Sequence, residues 1–320
     1  MRERATPLHL AAAKGHDSVV DVLLRMGAAV DPLDKDRVTP LHDAAMRGNV
    51  QCLRLLLAAQ ADPNHRDVDG CTPLHKAANY GLANCVELLL AHGAKVDSTD
   101  NEGTTPLHRA ACERRSAVVE MLLEQGASLI ARDVYGQKVV HKAAITCNLT
   151  VLEILRQKNA SMDAEDKNGI TPFLLWYVHA SVVVVEGEAA ATLDVAAGDE
   201  DTAQFFIKCK VNIYKKSTRG LWSAPHFAAN EGHADMLLLL LLAGVPMSER
   251  DLYGRTPLHI AVEAQAYACA AFLLQVRVFS CHHLPSLAPL QWYQESTAAE
   301  TTLTVPHTIF HWTGGRESPC

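Results

Sequence analysis

Residues 72–81 read TPLHKAANYG, and their first four letters recur through the chain at a fixed interval. Thr-Pro-Leu-His begins at residues 6, 39, 72 and 105, so each step is 33 residues. The next two steps reach residue 138, where only the histidine is kept, and residue 171, where only Thr-Pro is kept. A step of 52 leads to Ser-Ala-Pro-His at 223, and a last step of 33 restores the motif at 256. Eight copies in phase predict a repeat array.

Each copy carries the signals of a short helix followed by a second one. Threonine is a good N-cap, because its hydroxyl accepts a hydrogen bond from an unpaired backbone N–H, and proline is tolerated at the next position. The paired alanines allow a neighbouring helix to approach closely. We predict that the first helix ends at a left-handed glycine in Gly15, Gly48, Gly81 and Gly232, and that the second is closed by Gly27, Gly93, Gly126 and Gly244.

An aspartate and a glycine precede most copies, as Asp67 and Gly70 do, and this spacing predicts a turn. The motif, the turn and the period together resemble the ankyrin-repeat family. The resemblance implies a hairpin loop and two antiparallel helices in each unit. We therefore predict an all-α solenoid of about eight units over residues 1–275, in which each unit depends on its neighbours for stability.

The pattern is broken at identifiable places. Arg114 and Cys147 stand where a helix-ending glycine is usual, and the sixth unit carries about 19 extra residues, which we place at about 182–197. This acidic insertion is interpreted either as a solvated loop or as a binding loop. Residues 276–320 lose the period, and we expect them to be disordered. Since neither end has a polar capping unit, we expect the chain to be a truncated or alternative product of a longer protein.

Composition excludes several classes of protein. A net charge of −7 gives no general attraction to nucleic acid, and no apolar run approaches the length of about 20 residues that a membrane span needs. The nine cysteines form no CxxC pair, and the N-terminus is no secretory signal. We expect an intracellular monomer, in the cytoplasm, the nucleus or both, with no contact to membrane or nucleic acid.

Sixteen histidines invite a metal or catalytic interpretation. Seven belong to the motif and would form a row along the array with a structural role: His9, His42, His75, His108, His141, His226 and His259. The only other suggestive group, Cys281, His282, His283, His307 and His311, lacks a second ligand pair at zinc-site spacing. Neither a nucleophile motif nor a phosphate loop is present. We therefore predict no enzymatic activity, no metal site and no cofactor.

The resemblance places the free surface in a concave groove and at the hairpin tips. The groove is lined by the positions one, four and five after the motif histidine, and the first of these holds Lys76, Arg109 and Lys142. This basic row is a candidate contact for an acidic partner, although exposed lysine and arginine are also ordinary surface residues. The predicted partner-binding residues are Arg47, Lys76, Asn79, Tyr80, Arg109, Glu113 and Lys142 in the groove, and Arg66, Arg132 and Tyr135 at the tips.

Regular repeats, a groove and the lack of a catalytic motif predict a scaffold or adaptor that binds other proteins. The alternative is the targeting module of a longer enzyme or channel whose working domain is absent from this chain. Asn64 occupies the hairpin position that can be hydroxylated in ankyrin-like proteins, so the resemblance also implies a modification there.

Overall fold

The computed structural model describes residues 4–176, 200–218 and 220–280, and these residues form sixteen helices and no strand. Eight helices carry the Thr-Pro-Leu-His motif or its remnant: α1 (Pro7–Lys14), α3 (Pro40–Arg47), α5 (Pro73–Tyr80), α7 (Pro106–Cys112), α9 (Val139–Ile145), α11 (172–176, where the description stops), α13 (Ala224–Glu231) and α15 (Pro257–Glu263). The helices that follow them are α2 (Asp17–Arg25), α4 (Val50–Ala58), α6 (Ala83–Ala91), α8 (Ser116–Glu124), α10 (Leu149–Gln157), α12 (Glu200–Lys208), α14 (Ala234–Leu242) and α16 (Tyr267–Ser280).

The predicted all-α repeat architecture is confirmed, and every motif helix begins one residue after its predicted cap. The number of complete repeats stays a prediction. The acidic insertion and residues 281–320 of the tail lie outside the described residues. The chain divides into two units after Leu273, and the described residues of the second, 274–280, belong to α16. This helix continues past Gln275, the predicted end of the array, to Ser280.

The core of the first unit is continuous along the stack. Successive motif helices pack on one another from α1 to α9 and from α13 to α15, and in these segments all but α15 also pack on the helix that follows. The motif alanines lie at the centre of this packing. Ala44, Ala45, Ala77 and Ala78 are all fully buried, as is the motif leucine Leu74. Small side chains at these positions bring the helices close together, as the sequence predicts.

The sixth unit remains packed on both sides of its insertion. The ring of Phe173 in α11 lies 5.8 Å from that of Phe206 in α12 and 5.9 Å from that of Trp176, and all three are buried. Helices α10 and α12 begin at Leu149 and Glu200, 51 residues apart, which is 18 more than one period. The one residue that completes the 19 extra residues lies in the turn after α12. There Ser217 N–H donates to the carbonyl of Trp222, five residues on, whereas in the turn after α10 Asp166 N–H donates to the carbonyl of Ile170, four residues on.

The motif histidines join each helix cap to the following repeat. In the second unit, Thr39 N–H donates to Nδ1 of His42 over 3.2 Å, and Nε2 of the same ring lies 3.1 Å from the carbonyl oxygen of Cys71. Since a backbone N–H can only donate, Nδ1 must be unprotonated, and Nε2 carries the proton and donates to the carbonyl. His9, His75, His141 and His226 make the same contact to a carbonyl 29 residues on. Each ring is therefore neutral and has two structural partners.

Acid should destabilise the array through these rings. Burial lowers the pKa of His42, His75 and His108 from 6.5 to about 4. Because the folded pKa lies below the unfolded one, the unfolded chain binds protons first, so stability is complete above pH 6.5 and falls steadily down to pH 4. At pH 4, the charging of each ring lowers the free energy of unfolding by on the order of 3 kcal/mol. We expect urea midpoints, followed by circular dichroism, to drop sharply between pH 7.5 and pH 5.

Two variants separate this effect from general acid sensitivity. His42→Gln should lower stability at pH 7.5 but flatten its dependence on pH, because one of the titrating groups is gone. His92→Gln removes an exposed histidine at the end of α6 and should leave the dependence unchanged. An identical slope in the wild type and His42→Gln would contradict this account.

The residue that closes the second helix adopts a left-handed conformation in every described unit where its φ is given. Glycine does so in four units, with φ between 83° and 85° at Gly27, Gly93, Gly126 and Gly244, as predicted. Gln60, Asn159 and Lys210 occupy the same position with φ of 66°, 61° and 54°. Arg114 and Cys147, which end the first helix of their units, are also left-handed. The backbone therefore keeps the same conformation at these two positions although the residue is not glycine.

Gln60→Gly should stabilise the array. The side chain of Gln60 is exposed, and a non-glycine residue in this conformation carries a strain of about 1 kcal/mol. We expect the free energy of unfolding to rise by about this amount, which would be measured as a higher urea midpoint. The matched control is Gly27→Gln, where an added Cβ would contact nothing within 4 Å, so that only the backbone strain is introduced and the midpoint should fall. Shifts of the same sign in both variants would rule out the explanation.

Candidate partner-binding surface

The hairpins are built around a buried aspartate. One oxygen of Asp67, Oδ1, accepts hydrogen bonds from the backbone N–H of Asp69 over 3.0 Å and of Cys71 over 2.8 Å. The same pair of bonds recurs at Asp34, Asp100, Asp133, Asp166 and Asp251. These bonds fix the shape of each turn and leave the second oxygen, Oδ2, for another partner.

Successive hairpin tips are also tied to one another through the backbone. The N–H of Val68 donates to the carbonyl of Asp36 over 3.0 Å, that of Asn101 to Asp69 over 2.9 Å, and that of Val134 to Glu102 over 2.8 Å. The side chains at the tips are therefore presented from a hydrogen-bonded edge that runs along the array.

The predicted basic row lies beside these hairpins and is paired with their aspartates. Nζ of Lys76 lies 2.7 Å from Oδ2 of Asp67, and Nζ of Lys142 lies 2.8 Å from Oδ2 of Asp133. Nη2 of Arg109 makes the equivalent contact to Asp100 over 2.6 Å. The side chains of the aspartates are at most 2% exposed. Each cation of the basic row therefore neutralises a buried carboxylate. Whether these residues also contact a partner stays a prediction.

The ion pairs determine the protonation of this surface. Burial alone would lower the pKa of Lys76, but the hydrogen bond to Asp67 and the charges of Asp67 and Asp69 outweigh it and raise that pKa. Burial likewise opposes the charge of Arg109, whose pKa is nevertheless raised by Asp100 and, more weakly, by Glu102. The pKa of Asp100 is lowered, since Arg109 and the Thr104 backbone N–H outweigh its burial. Lys76, Arg109 and Asp100 are therefore charged at neutral pH.

A pocket of about 390 Å³ opens between the hairpins and the helices α3, α5 and α7. Met46, Asn79 and Tyr80 line its helical side together with Lys76 and Arg109, and Asp69, Asn101 and Glu102 line it from two successive tips. We call this space the hairpin pocket. It brings together four predicted residues from two helices, Lys76, Asn79, Tyr80 and Arg109. The repeat motif does not identify Met46, Asp69, Asn101 and Glu102 as lining residues, although Asp69 and Glu102 both stand two residues after a turn aspartate and so share the period.

The other predicted residues lie outside this pocket. Nη1 of Arg132 donates to the carbonyls of Gly136 and Glu165, both over 2.6 Å, so this side chain stabilises two adjoining hairpins. Nη2 of Arg66 lies 3.4 Å from Oδ1 of Asn101. Tyr135 is 58% exposed at its tip. Arg47 and Glu113 are exposed at the ends of α3 and α7.

Asn64 has a bridging position between two repeats. Its side-chain nitrogen donates to the carbonyl of Gly93 over 3.0 Å, and its side-chain oxygen accepts from the N–H of Lys95 over 2.8 Å. This residue therefore supports the adjoining hairpin through its amide group. The hydroxylation that the resemblance implies stays a prediction.

The described residues hold neither a cluster of metal ligands nor a membrane-spanning helix. Within residues 4–176, 200–218 and 220–280, no three histidine, cysteine or acidic side chains converge as metal ligands. The group from Cys281 to His311 lies outside these ranges. None of the helices in the described part of the chain has the length and apolar character needed to cross a membrane.

Paired helices at a fixed period, with hairpins tied into one edge, define a helical-repeat solenoid whose free surface is a groove with its tips. The family model described as "Ankyrin repeats (3 copies)" matches residues 2–67, 59–133 and 189–280. The chain belongs to the ankyrin-repeat family. Helices α9 and α10 lie between the second and third matches and keep the same cap and hairpin geometry.

Lys76→Met tests whether the basic row has a structural role. Removing the ammonium group leaves Asp67 buried without its cation, which should cost on the order of 1–3 kcal/mol. We expect a lower urea midpoint. Lys95→Met removes an exposed lysine from the hairpin of the same repeat and should change stability by no more than about 0.5 kcal/mol. Equal midpoints for the two variants would show that the ion pair contributes nothing to the fold.

Proposed function

We propose that this protein is a non-catalytic scaffold or adaptor that binds a protein partner through its concave groove and hairpin tips, with the hairpin pocket at the centre of the contact. The observation that carries this proposal is the pocket itself, in which Tyr80, 48% exposed, stands beside fixed charged side chains. Ankyrin-repeat proteins are generally protein–protein interaction modules and are typically non-catalytic.

The physical properties of the pocket suit a binding contact. Tyrosine is enriched among the residues that dominate interface energies, because it buries a large area with few rotatable bonds. The charged walls are held by ion pairs of 2.6 and 2.7 Å, and the tips by backbone hydrogen bonds. A partner would therefore meet side chains that are already ordered, and binding would lose little conformational entropy.

We further propose a reducing compartment, the cytoplasm or the nucleus, as the place of action. Cys52, Cys85 and Cys269 are buried thiols within the repeat core. All seven cysteines in the described part of the chain are free thiols, and unpaired cysteines are typical of proteins in reducing compartments.

Tyr80→Ala should remove partners without unfolding the chain. We expect quantitative mass spectrometry of affinity captures from cell lysate to show a set of proteins that the wild type retains and that Tyr80→Ala depletes about tenfold, the loss typical of a truncated central aromatic. Tyr267→Ala removes a tyrosine of 81% exposure on α16 and should keep the set. Circular dichroism would verify that both variants are folded.

Two results would count against the proposal. Partners retained equally by all three proteins would place the contact away from the hairpin pocket. A wild-type capture with no protein enriched above an empty resin would argue against a binding scaffold.

A further inference from the structure

The hairpin pocket carries more negative than positive charge once its internal pairs are considered. Lys76 and Arg109 are its two cations, and they are already matched by Asp67 and Asp100. Asp69 and Glu102 also line the pocket, and each adds a smaller contribution to the raised pKa of the nearby cation, Asp69 for Lys76 and Glu102 for Arg109. Each cation therefore faces two carboxylates. Counted with the buried Asp67 beneath Lys76, four carboxylates stand against two cations, which leaves an excess of about two negative charges.

The two additional carboxylates are free to meet a partner. Asp69 and Glu102 are exposed, and the hydrogen bonds in which they take part in the fold are made by their backbone N–H and carbonyl groups. They project from successive tips that are joined by the bond from Asn101 N–H to the carbonyl of Asp69. Their spacing is thus fixed by the repeat.

The opposite wall is suited to the rest of a long basic side chain. Tyr80 presents about half of its surface, and Met46 supplies a polarisable apolar contact. A guanidinium or ammonium group is attracted to the face of an aromatic ring, and its aliphatic stem packs on apolar surface. The pocket volume of about 390 Å³ falls within the range of about 300–1,000 Å³ that bound groups occupy.

An acidic side chain is disfavoured in the same place. It would have to displace Asp67 or Asp100, each of which is buried and held by two backbone N–H groups. It would also be repelled by the negative charges of Asp69 and Glu102, because bringing like charges together across an interface is energetically costly.

We propose that the hairpin pocket binds an arginine or lysine side chain presented by a basic segment of the partner protein. This rests on the proposed function and gives it a chemical class of partner. It replaces the acidic partner that the basic row suggests from the sequence.

Selection from a displayed library of random dodecapeptides on the wild-type chain tests the assignment. We expect the recovered peptides to be enriched in arginine and lysine over the starting library. Fluorescence anisotropy with the strongest binder should show at least about fivefold weaker binding to Asp69→Asn/Glu102→Gln, as expected for the loss of two partly exposed charge contacts. Replacing the basic residue of the peptide by alanine should cause a similar loss.

The matched control is Glu87→Gln/Glu124→Gln, which makes the same change of net charge at exposed positions on α6 and α8. It should alter binding less than twofold, whereas equal losses in the two double variants would reveal unspecific attraction and overturn the assignment. Recovered peptides without basic residues that still require Tyr80 would also overturn it and leave the proposed function standing. A library that yields no binder overturns it as well, and the lysate captures then decide the proposed function separately.

Discussion

A neutral histidine with two fixed partners connects the local and the global order of this protein. One ring nitrogen accepts from the N–H of a helix cap, and the other donates to a carbonyl of the next repeat, 29 residues later. The first contact sets where a helix begins, and the second sets where the neighbouring hairpin lies. The ring is buried, and a second proton on Nδ1 would remove the acceptor that the cap N–H needs. The histidine therefore makes both contacts only while it is uncharged.

The buried aspartate of each hairpin has a comparable double role. Its Oδ1 accepts the hydrogen bonds that shape the turn. In three consecutive units its Oδ2 forms an ion pair with a basic side chain of the motif helix, nine residues later. A buried carboxylate without a cation would be costly, so Lys76, Arg109 and Lys142 are constrained by the fold. The charge that remains for a partner is then set by residues without such a role, of which Asp69 and Glu102 are the ones in the pocket.

Much of the fold could be predicted from the sequence, because Thr-Pro-Leu-His fixes the period, the cap and the first turn of each unit. The left-handed ends at Arg114 and Cys147 follow from the period even though neither residue favours that conformation. The surface was less predictable. The sequence alone places Lys76 in a basic row but does not pair it with Asp67, since that pairing depends on how the turn between the two residues, nine positions apart, closes. That constant offset is nevertheless visible in three units, and it was the signal available for the ion pairs.

Position within the repeat therefore separates the residues that build this array from those that can distinguish partners. The residue two places after the turn aspartate is acidic at Asp36, Asp69 and Glu102, and becomes Tyr135 in the next unit, while its backbone bonds stay the same. Since the N–H and the carbonyl make the structural contacts, the side chain can change without disturbing the hairpin. A row of such positions lets one scaffold present acidic tips in its first units and an aromatic tip beyond them, and the hairpin pocket lies where two of the acidic tips meet the exposed ring of Tyr80.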